Sequence, residues 1–401
     1  MLAVLWLGGM AAQVQAQNKD LVRLVEGNNQ FAVDLYQQLG QKPGNKFFSP
    51  YSISTALGMT YAGAKGQTAQ EMAGTLHFAL ENEHLHPAFG ALIRQIQGPS
   101  KKRDFQLTTA NSLWGNTGFG LGANFLRITQ TDYQAGFYLM DCSNDAAGAR
   151  KKINGWVEDK TNNKIKDLLQ PDDIQKNTRL VLVNAIYFKA SWLNPFSERQ
   201  TRLETFTIPG SPAVKVPTMN HTCFVNHLGN DEFQLAQLAY KDDEVSMVII
   251  LPNKKDGLAA VEKKLSSKML QQALARAKPT NVHVSLPKFK MTEEFSLGDD
   301  LTALGMKEAF IAGVADFSGM EAKVSREKSL FISKVIHKAF VDIHENGTEA
   351  AAATAVIISL GGAAPPPPIS FKADHPFLFL VRHNATGSIL FMGRVHDPRS
   401  K

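Results

Sequence analysis

The sequence predicts an α+β protein in one large domain, because helix-type apolar spacing dominates the first half, strand-like runs dominate the second, and no linker separates them. A chain of 401 residues has room for two or three average domains, yet no Gly/Ser stretch, charge block or tandem repeat divides it. Hydrophobic residues make up 44%, which is ordinary for a globular chain with a substantial core. The net charge of +6 is modest over such a surface and lacks the basic stripe of a nucleic-acid binder, so no nucleic-acid partner is expected.

The first residues, 2–12, are apolar and small, and Val14-Gln15-Ala16 offers small residues at signal-peptidase spacing ahead of Gln17. Residues 1–16 are therefore expected to be a signal peptide and 17–401 a single exported domain, secreted or periplasmic. A leading Lys or Arg is missing from this signal. The stretch is too short for a membrane span, and no membrane partner is expected. Next, Leu21, Leu24, Val25, Asn28, Phe31, Ala32, Leu35 and Leu39 recur at steps of three and four and predict a long amphipathic helix. The same argument predicts helices over 54–64, 69–76 and 146–169, the last with an apolar stripe of Ile153, Trp156, Val157, Ile165 and Leu168. Strands are predicted over 180–188, 245–251, 282–286, 331–343 and 377–382.

Between the last two strands lies the most unusual stretch. Ala350 to Ala353 favour helix by propensity, whereas Thr354, Val356, Ile357 and Ile358 favour a pleated surface. Alternation decides for a strand: Thr348, Ala350, Ala352, Thr354, Val356 and Ile358 share one uncharged face, and Glu349 lies opposite. Gly361-Gly362 and Pro365 to Pro368 follow, and prolines supply no backbone donors to a ladder. A strand-competent segment thus leads into an exposed, stiffened loop over about 345–370.

Several chemistries are not spelled out. The chain has no Gly-x-Ser-x-Gly elbow and no His-Glu-x-x-His helix. Gly118-Phe119-Gly120-Leu121-Gly122 lacks the strand and the glycine-spaced helix start of a dinucleotide loop. His84 and His86 have no third ligand and are read as surface residues, so no metal and no cofactor are expected. Two cysteines, Cys142 and Cys223, do not make a disulfide framework, and their pairing stays open. Lys101-Lys102-Arg103 is read as a solvated turn, and glycosaminoglycan binding is not expected. Asn220, Asn346 and Asn384 head Asn-X-Thr acceptors, and a glycan on Asn346 would oppose burial of the segment that follows it.

The segment Phe371-Lys372-Ala373-Asp374-His375-Pro376-Phe377, with Gly387-Ser388-Ile389-Leu390-Phe391-Met392-Gly393-Arg394, resembles the signature of the serpin family. Phe47-Phe48-Ser49-Pro50, Ile153-Asn154-Gly155-Trp156, Leu182-Val183-Asn184-Ala185, Trp192 and Asp316-Phe317-Ser318-Gly319-Met320 resemble further serpin landmarks in serpin order. The resemblance implies a helix-rich N-terminal half, a large central sheet with further sheets, and an exposed reactive-centre loop. It also implies a metastable, monomeric suicide substrate that traps a serine protease in a covalent acyl complex by loop insertion, and so is not an enzyme. That mechanism is the family's and comes to this chain through the resemblance alone.

By the same resemblance, the hinge of the loop comprises Glu345, Gly347, Thr348, Glu349, Ala350, Ala351, Ala352, Ala353 and Thr354, with Asn346 where an acidic residue is more usual. Small inward residues there suit insertion, since a charge at such a position would cost several kcal/mol. Ser49, Ser52, Asn184 and His337 correspond to a polar cluster where the central strands part, and Trp192 to the point where the loop enters. Family spacing places the reactive bond at Leu360-Gly361 or Gly361-Gly362. Leu360 is favoured, because a buried leucine contributes about 1.5–3 kcal/mol in a specificity pocket and a glycine almost nothing. With no Lys or Arg between Ala350 and Ser370, the expected target is elastase-, chymotrypsin- or subtilisin-like. The rival readings are a non-inhibitory serpin acting as a ligand carrier or chaperone, and an adhesion module that displays Pro365 to Pro368.

Overall fold

The apolar periodicity that opens the chain becomes the inner stripe of a long helix in the computed structural model, which describes residues 2–98, 104–117, 120–323, 330–348 and 367–399, with the backbone path alone for 2–17. The helices in chain order are α1 (Leu2–Gly40), α2 (Pro50–Tyr61), α3 (Gly66–Leu76), α4 (Asn82–Gln97), α5 (Ala123–Asp132), α6 (Cys142–Lys160), α7 (Leu258–Lys264), α8 (Ser267–Arg276) and α9 (Gly298–Ala303). The strands are β1 (Lys46–Phe48), β2 (Gln106–Asn116), β3 (Gly136–Met140), β4 (Leu180–Ser191), β5 (Arg202–Phe206), β6 (Val214–Gly229), β7 (Phe233–Ala239), β8 (Val245–Pro252), β9 (Lys278–Pro287), β10 (Phe289–Ser296), β11 (Ile332–His344), β12 (Gly347–Thr348), β13 (Ile369–Lys372), β14 (Phe377–His383) and β15 (Ile389–Val395).

These strands form two sheets. One has the order β10-β11-β12-β4-β2-β3, and in it β11 also pairs directly with β4. The other runs β1-β15-β14-β8-β7-β6-β9-β13, with β5 on β6. The long β6 pairs with β5, β7 and β9, so the further sheets that the resemblance implied are one continuous sheet here. Helix α2 lies between the two sheets, touching β2 and β4 on one side and β15 on the other, and its residues Pro50 to Thr60 are all buried.

Three helix expectations need correction. The helix expected at 54 starts at Pro50, because Ser49 caps it, accepting from the Ser52 N–H, and proline at the first turn forfeits no hydrogen bond. The helix expected to reach 169 ends at Lys160. The Thr161 hydroxyl donates to Val157 O and accepts from Ile165 N, and Asn162 and Asn163 take left-handed φ values of 50° and 58°. Ile165, Leu168 and Leu169 are still buried, but in a return segment that packs with Ile153 and Val157 on Val181, Val183, Ala185 and Ile336. Helix α4 was not anticipated, and it overturns the reading of His86. That ring is buried against Tyr133, with Nδ1 2.7 Å from the hydroxyl, while His84 is exposed and pairs with Asp20.

Candidate functional site

β4 and β11 run parallel, in register from Lys334 opposite Val181 to Phe340 opposite Tyr187. Their outer neighbours, β2 and β10, are antiparallel to them. A strand inserted antiparallel at this seam would replace one slanted parallel ladder with two antiparallel ones, the slightly stronger pairing per residue. The beginning of such a strand is already in place. β12 is antiparallel to both neighbours, with Gly347 opposite Ser191 and His344, and Thr348 opposite Ala190 and Ile343.

Four groups hold this hinge. Glu345 is buried, and its carboxylate takes the Lys288 ammonium at 2.8 Å and the Thr201 hydroxyl at 2.7 Å. Burial alone would raise its pKa, but these bonds hold the carboxyl below its ordinary value. Trp192 donates its backbone N–H to Asn346 O at 2.9 Å and its indole N–H to His344 O at 3.0 Å. Its ring stacks on Tyr240 at 4.4 Å, and the Tyr240 hydroxyl lies 2.7 Å from Thr348 Oγ1, which belongs to a residue only 1% exposed. Gly347 has φ 143°, and a Cβ there would come within 2.1 Å of Ala190 O, so only glycine lets the backbone enter.

Midway along the seam lies the polar cluster. His337 and Asn184 sit opposite one another, and Nδ1 of the ring meets Asn184 Oδ1. The other ring nitrogen accepts from Ser49 N–H at 3.0 Å, which fixes a neutral ring with its proton on Nδ1. Burial pushes this histidine down to about 3. Asn184 Nδ2 donates to Ser52 Oγ and to Asn111 Oδ1, both at 2.6 Å, and Ser52 Oγ donates to Asn111 Oδ1 at 2.9 Å. Ser49 Oγ donates to Leu390 O at 2.6 Å, tying the cluster to the second sheet. Asn111 was missed in the sequence, where the signal was an amide in the middle of a strand.

The expected residues therefore divide into two groups. Ser49, Ser52, Asn184 and His337 meet as anticipated, but Trp192 is not among them. It lies eight residues further along the chain from Asn184, just past the end of β4 and roughly 26 Å away along the strand direction, beside Glu345, Gly347 and Thr348. Glu349, Ala350, Ala351, Ala352, Ala353, Thr354, Leu360, Gly361 and Gly362 lie outside the described residues, as do Lys101, Lys102, Arg103, Gly118 and Phe119.

A strap crosses the seam on its outer face. The return segment after α6 packs its apolar side chains on β4, while Asp173 accepts from Lys334 at 3.0 Å and Lys166 O accepts from Lys338 at 3.1 Å, both lysines belonging to β11. The cysteines are apart and unbonded, Cys142 opening α6 and Cys223 lying on β6. Burial pushes both thiols up to about 11, so neither is a ready nucleophile at neutral pH. Among the described residues no helix is long and apolar enough to cross a membrane.

With β12 seated between β4 and β11 at one end and a buried polar cluster midway along, the seam is one into which a further antiparallel strand would fit. The family profile described as Serpin (serine protease inhibitor) matches residues 26–398, and the chain belongs to the serpin family. It is 40% identical over 379 residues to the leukocyte elastase inhibitor of Xenopus laevis, covering 92% of this chain and 97% of that protein. The solved structure of Serpin48, described as a highly specific serpin of the insect Tenebrio molitor, is similar with a TM-score of 0.83 and 32% identity over 94% of this chain and 98% of that one. Human thyroxine-binding globulin, solved in complex with its ligand, gives a TM-score of 0.84 at 32% identity, over 94% and 99% of the two chains.

Proposed function

We propose that this chain is a one-use, monomeric trap for serine proteases with apolar specificity pockets. The observation that carries the reading is the seated hinge: Gly347 and Thr348 already lie antiparallel between β4 and β11, above a seam held by a single parallel ladder. A protease that attacks Leu360-Gly361 forms an acyl bond to Leu360 and frees the chain on its N-terminal side to continue from Thr348 down the seam. The strand that follows adds main-chain bonds to two neighbours, its residues bonding to β4 and β11 in alternation, and Ala350, Ala352 and Thr354 carry nothing charged or bulky inward. The reactive serine belongs to the protease. This chain contributes bait and sheet and turns nothing over.

The name of the Xenopus relative supports an elastase-type target, as does the absence of Lys and Arg between Ala350 and Ser370. Val14-Gln15-Ala16 supports export with a mature N-terminus at Gln17, which terminal sequencing of the secreted protein would test. Incubation with pancreatic elastase or chymotrypsin should give an SDS-resistant complex, and the released C-terminal fragment should begin within 359–363. Trypsin should cleave or ignore the chain without forming the complex. A complex with trypsin alone, or a cut elsewhere, overturns the target assignment. The absence of a complex with any of these enzymes favours a ligand carrier of the kind thyroxine-binding globulin exemplifies.

A further inference from the structure

The sequence contains two Asn-Gly pairs, Asn154-Gly155 and Asn346-Gly347. In such a pair the glycine nitrogen carries no side chain beside it to hinder attack on the preceding side-chain amide. The two pairs sit in opposite settings. Asn154 is 7% exposed on α6, with Nδ2 donating to Leu169 O at 3.0 Å and Oδ1 accepting from Leu169 N at 2.8 Å. Both of its polar atoms are held. Asn346 is half-buried in the two-residue turn between β11 and β12, and among the described residues its side-chain amide has no hydrogen-bond partner. Its backbone carbonyl accepts from Trp192 N–H at 2.9 Å. That carbonyl and the Gly347 nitrogen belong to one peptide unit, so the bond stabilises the negative charge left on the unit when the nitrogen gives up its proton.

We propose that Asn346 is a site of spontaneous deamidation, a chemical clock set in the hinge. The Gly347 nitrogen gives its proton to solvent base and bonds to Cγ of Asn346. The bond from Cγ to Nδ2 breaks, and ammonia leaves with the proton returned by solvent. Water then opens the resulting succinimide. Cleavage at the bond between the ring nitrogen and Cγ gives aspartate, and cleavage at the other carbonyl gives isoaspartate, in which the main chain passes through the former side chain. The net change is one amide and one water for one carboxylate and one ammonium, with no redox step.

The two products differ in consequence. Aspartate adds a charge beside Glu345 but keeps the backbone path. Isoaspartate inserts one extra carbon between β11 and Gly347, and the hinge has no slack for it, because Gly347 fits against Ala190 only without a Cβ. Gly347 and Thr348 then lose register with Ser191 and Ala190, and Thr348 loses Tyr240. The hinge leaves the seam and the inhibitor ages into a substrate. This consequence rests on the inhibitory reading; the modification itself does not.

The test uses the whole chain purified from a bacterial host and held for days at mildly alkaline pH. Peptide mapping by mass and isoaspartyl methyltransferase labelling follow each pair, and the inhibitor consumed per protease inactivated is read in parallel. Each glycine nitrogen must release one backbone bond, Gly347 to His344 in the hairpin and Gly155 to the preceding turn of α6, but two side-chain hydrogen bonds must also break at Asn154 and none at Asn346, so modification at Asn346 should be about tenfold faster or more. Asn346→Gln should abolish it, so that the ratio of that variant, whatever its starting value, does not drift with time while that of the unaltered protein rises; Asn346→Asp, read when fresh, measures the effect of the charge apart from that of the lengthened backbone. Equal rates at the two pairs, or no isoaspartate at Asn346, overturn the site. Isoaspartate at Asn346 with an unchanged ratio overturns the clock. A fresh protein that never inhibits refutes the inhibitory reading and leaves the mass measurement standing.

Discussion

Replacing Thr348 with arginine tests the hinge most sharply, because the side chain is already buried before any protease arrives. Thr348→Arg removes the partner of the Tyr240 hydroxyl, which costs about 1–3 kcal/mol if that oxygen stays dry. Keeping an unpaired guanidinium at the site would cost several kcal/mol more. Expelling the hinge forfeits only the few ladder bonds of a two-residue strand, at about 1 kcal/mol each, so expulsion is the cheaper response. Native stability should therefore fall by no more than about 2–4 kcal/mol. Insertion suffers more, because every 1.4 kcal/mol added to its barrier slows it about tenfold while deacylation by the protease continues unchanged. The assay is the number of inhibitor molecules consumed per elastase inactivated, with Thr348→Val as a control that loses the hydroxyl but carries no charge. An arginine variant with the ratio of the unaltered protein would refute the reasoning.

Other consequences are as direct. His337 is held down to about 3 by burial, against about 6.5 in an unfolded chain, so the unfolded state binds the extra proton. Its contribution is complete above about pH 6.5 and is lost as pH falls toward 3, by up to about 1.4 kcal/mol per pH unit; His337→Gln should flatten that part of the profile in denaturant titrations, and an unchanged slope would contradict the assignment. Lys334→Met cuts one tether of the strap, a partly exposed ion pair, so stability should change by less than about 1 kcal/mol while a fluorescent label on the loop reports faster insertion. Equal insertion rates would show that the strap does not restrain the seam. Leu360→Arg should give SDS-resistant complexes with trypsin, and cleavage after the substituted residue without trapping would place the productive bond elsewhere.

The elements legible in the sequence are those where period and burial agree. Phe31, Leu35 and Leu39 fall on the inner face of α1, and the runs at 180–188 and 377–382 became β4 and β14 with buried interiors. The end of α6 was not legible. Ile165 and Leu168 continue a helical spacing but are buried by a turn that Thr161, Asn162 and Asn163 create, and apolar period does not distinguish the two. β2 was hidden by its polar content, because Thr108, Thr109 and Asn111 stand where an amphipathic strand would show alternation. Asn111 is polar because it completes the Asn184 cluster. Ser49, Ser52, Asn184 and His337 became legible only through family resemblance, since four polar residues scattered over nearly three hundred positions carry no local pattern. Trp192 was placed beside the loop's entry by that resemblance, and its hydrogen bonds to Asn346 and His344 give that position a physical role. His86 misled because a histidine on a polar-looking helix start gives no sign of the aromatic pocket formed by Tyr61 and Tyr133.

The central claim is that the native sheet is held one strand short of its most stable form. Thermal unfolding of the intact chain and of the same chain nicked within 358–363 tests it with no change of composition. Insertion from Thr348 onward replaces the single ladder of the seam with two and buries the apolar face that ends in Val356 and Ile358, so the nicked protein should unfold at a markedly higher temperature. Equal midpoints, or a lower one for the nicked chain, would mean that the loop stays out of the sheet, and would contradict the account at its root.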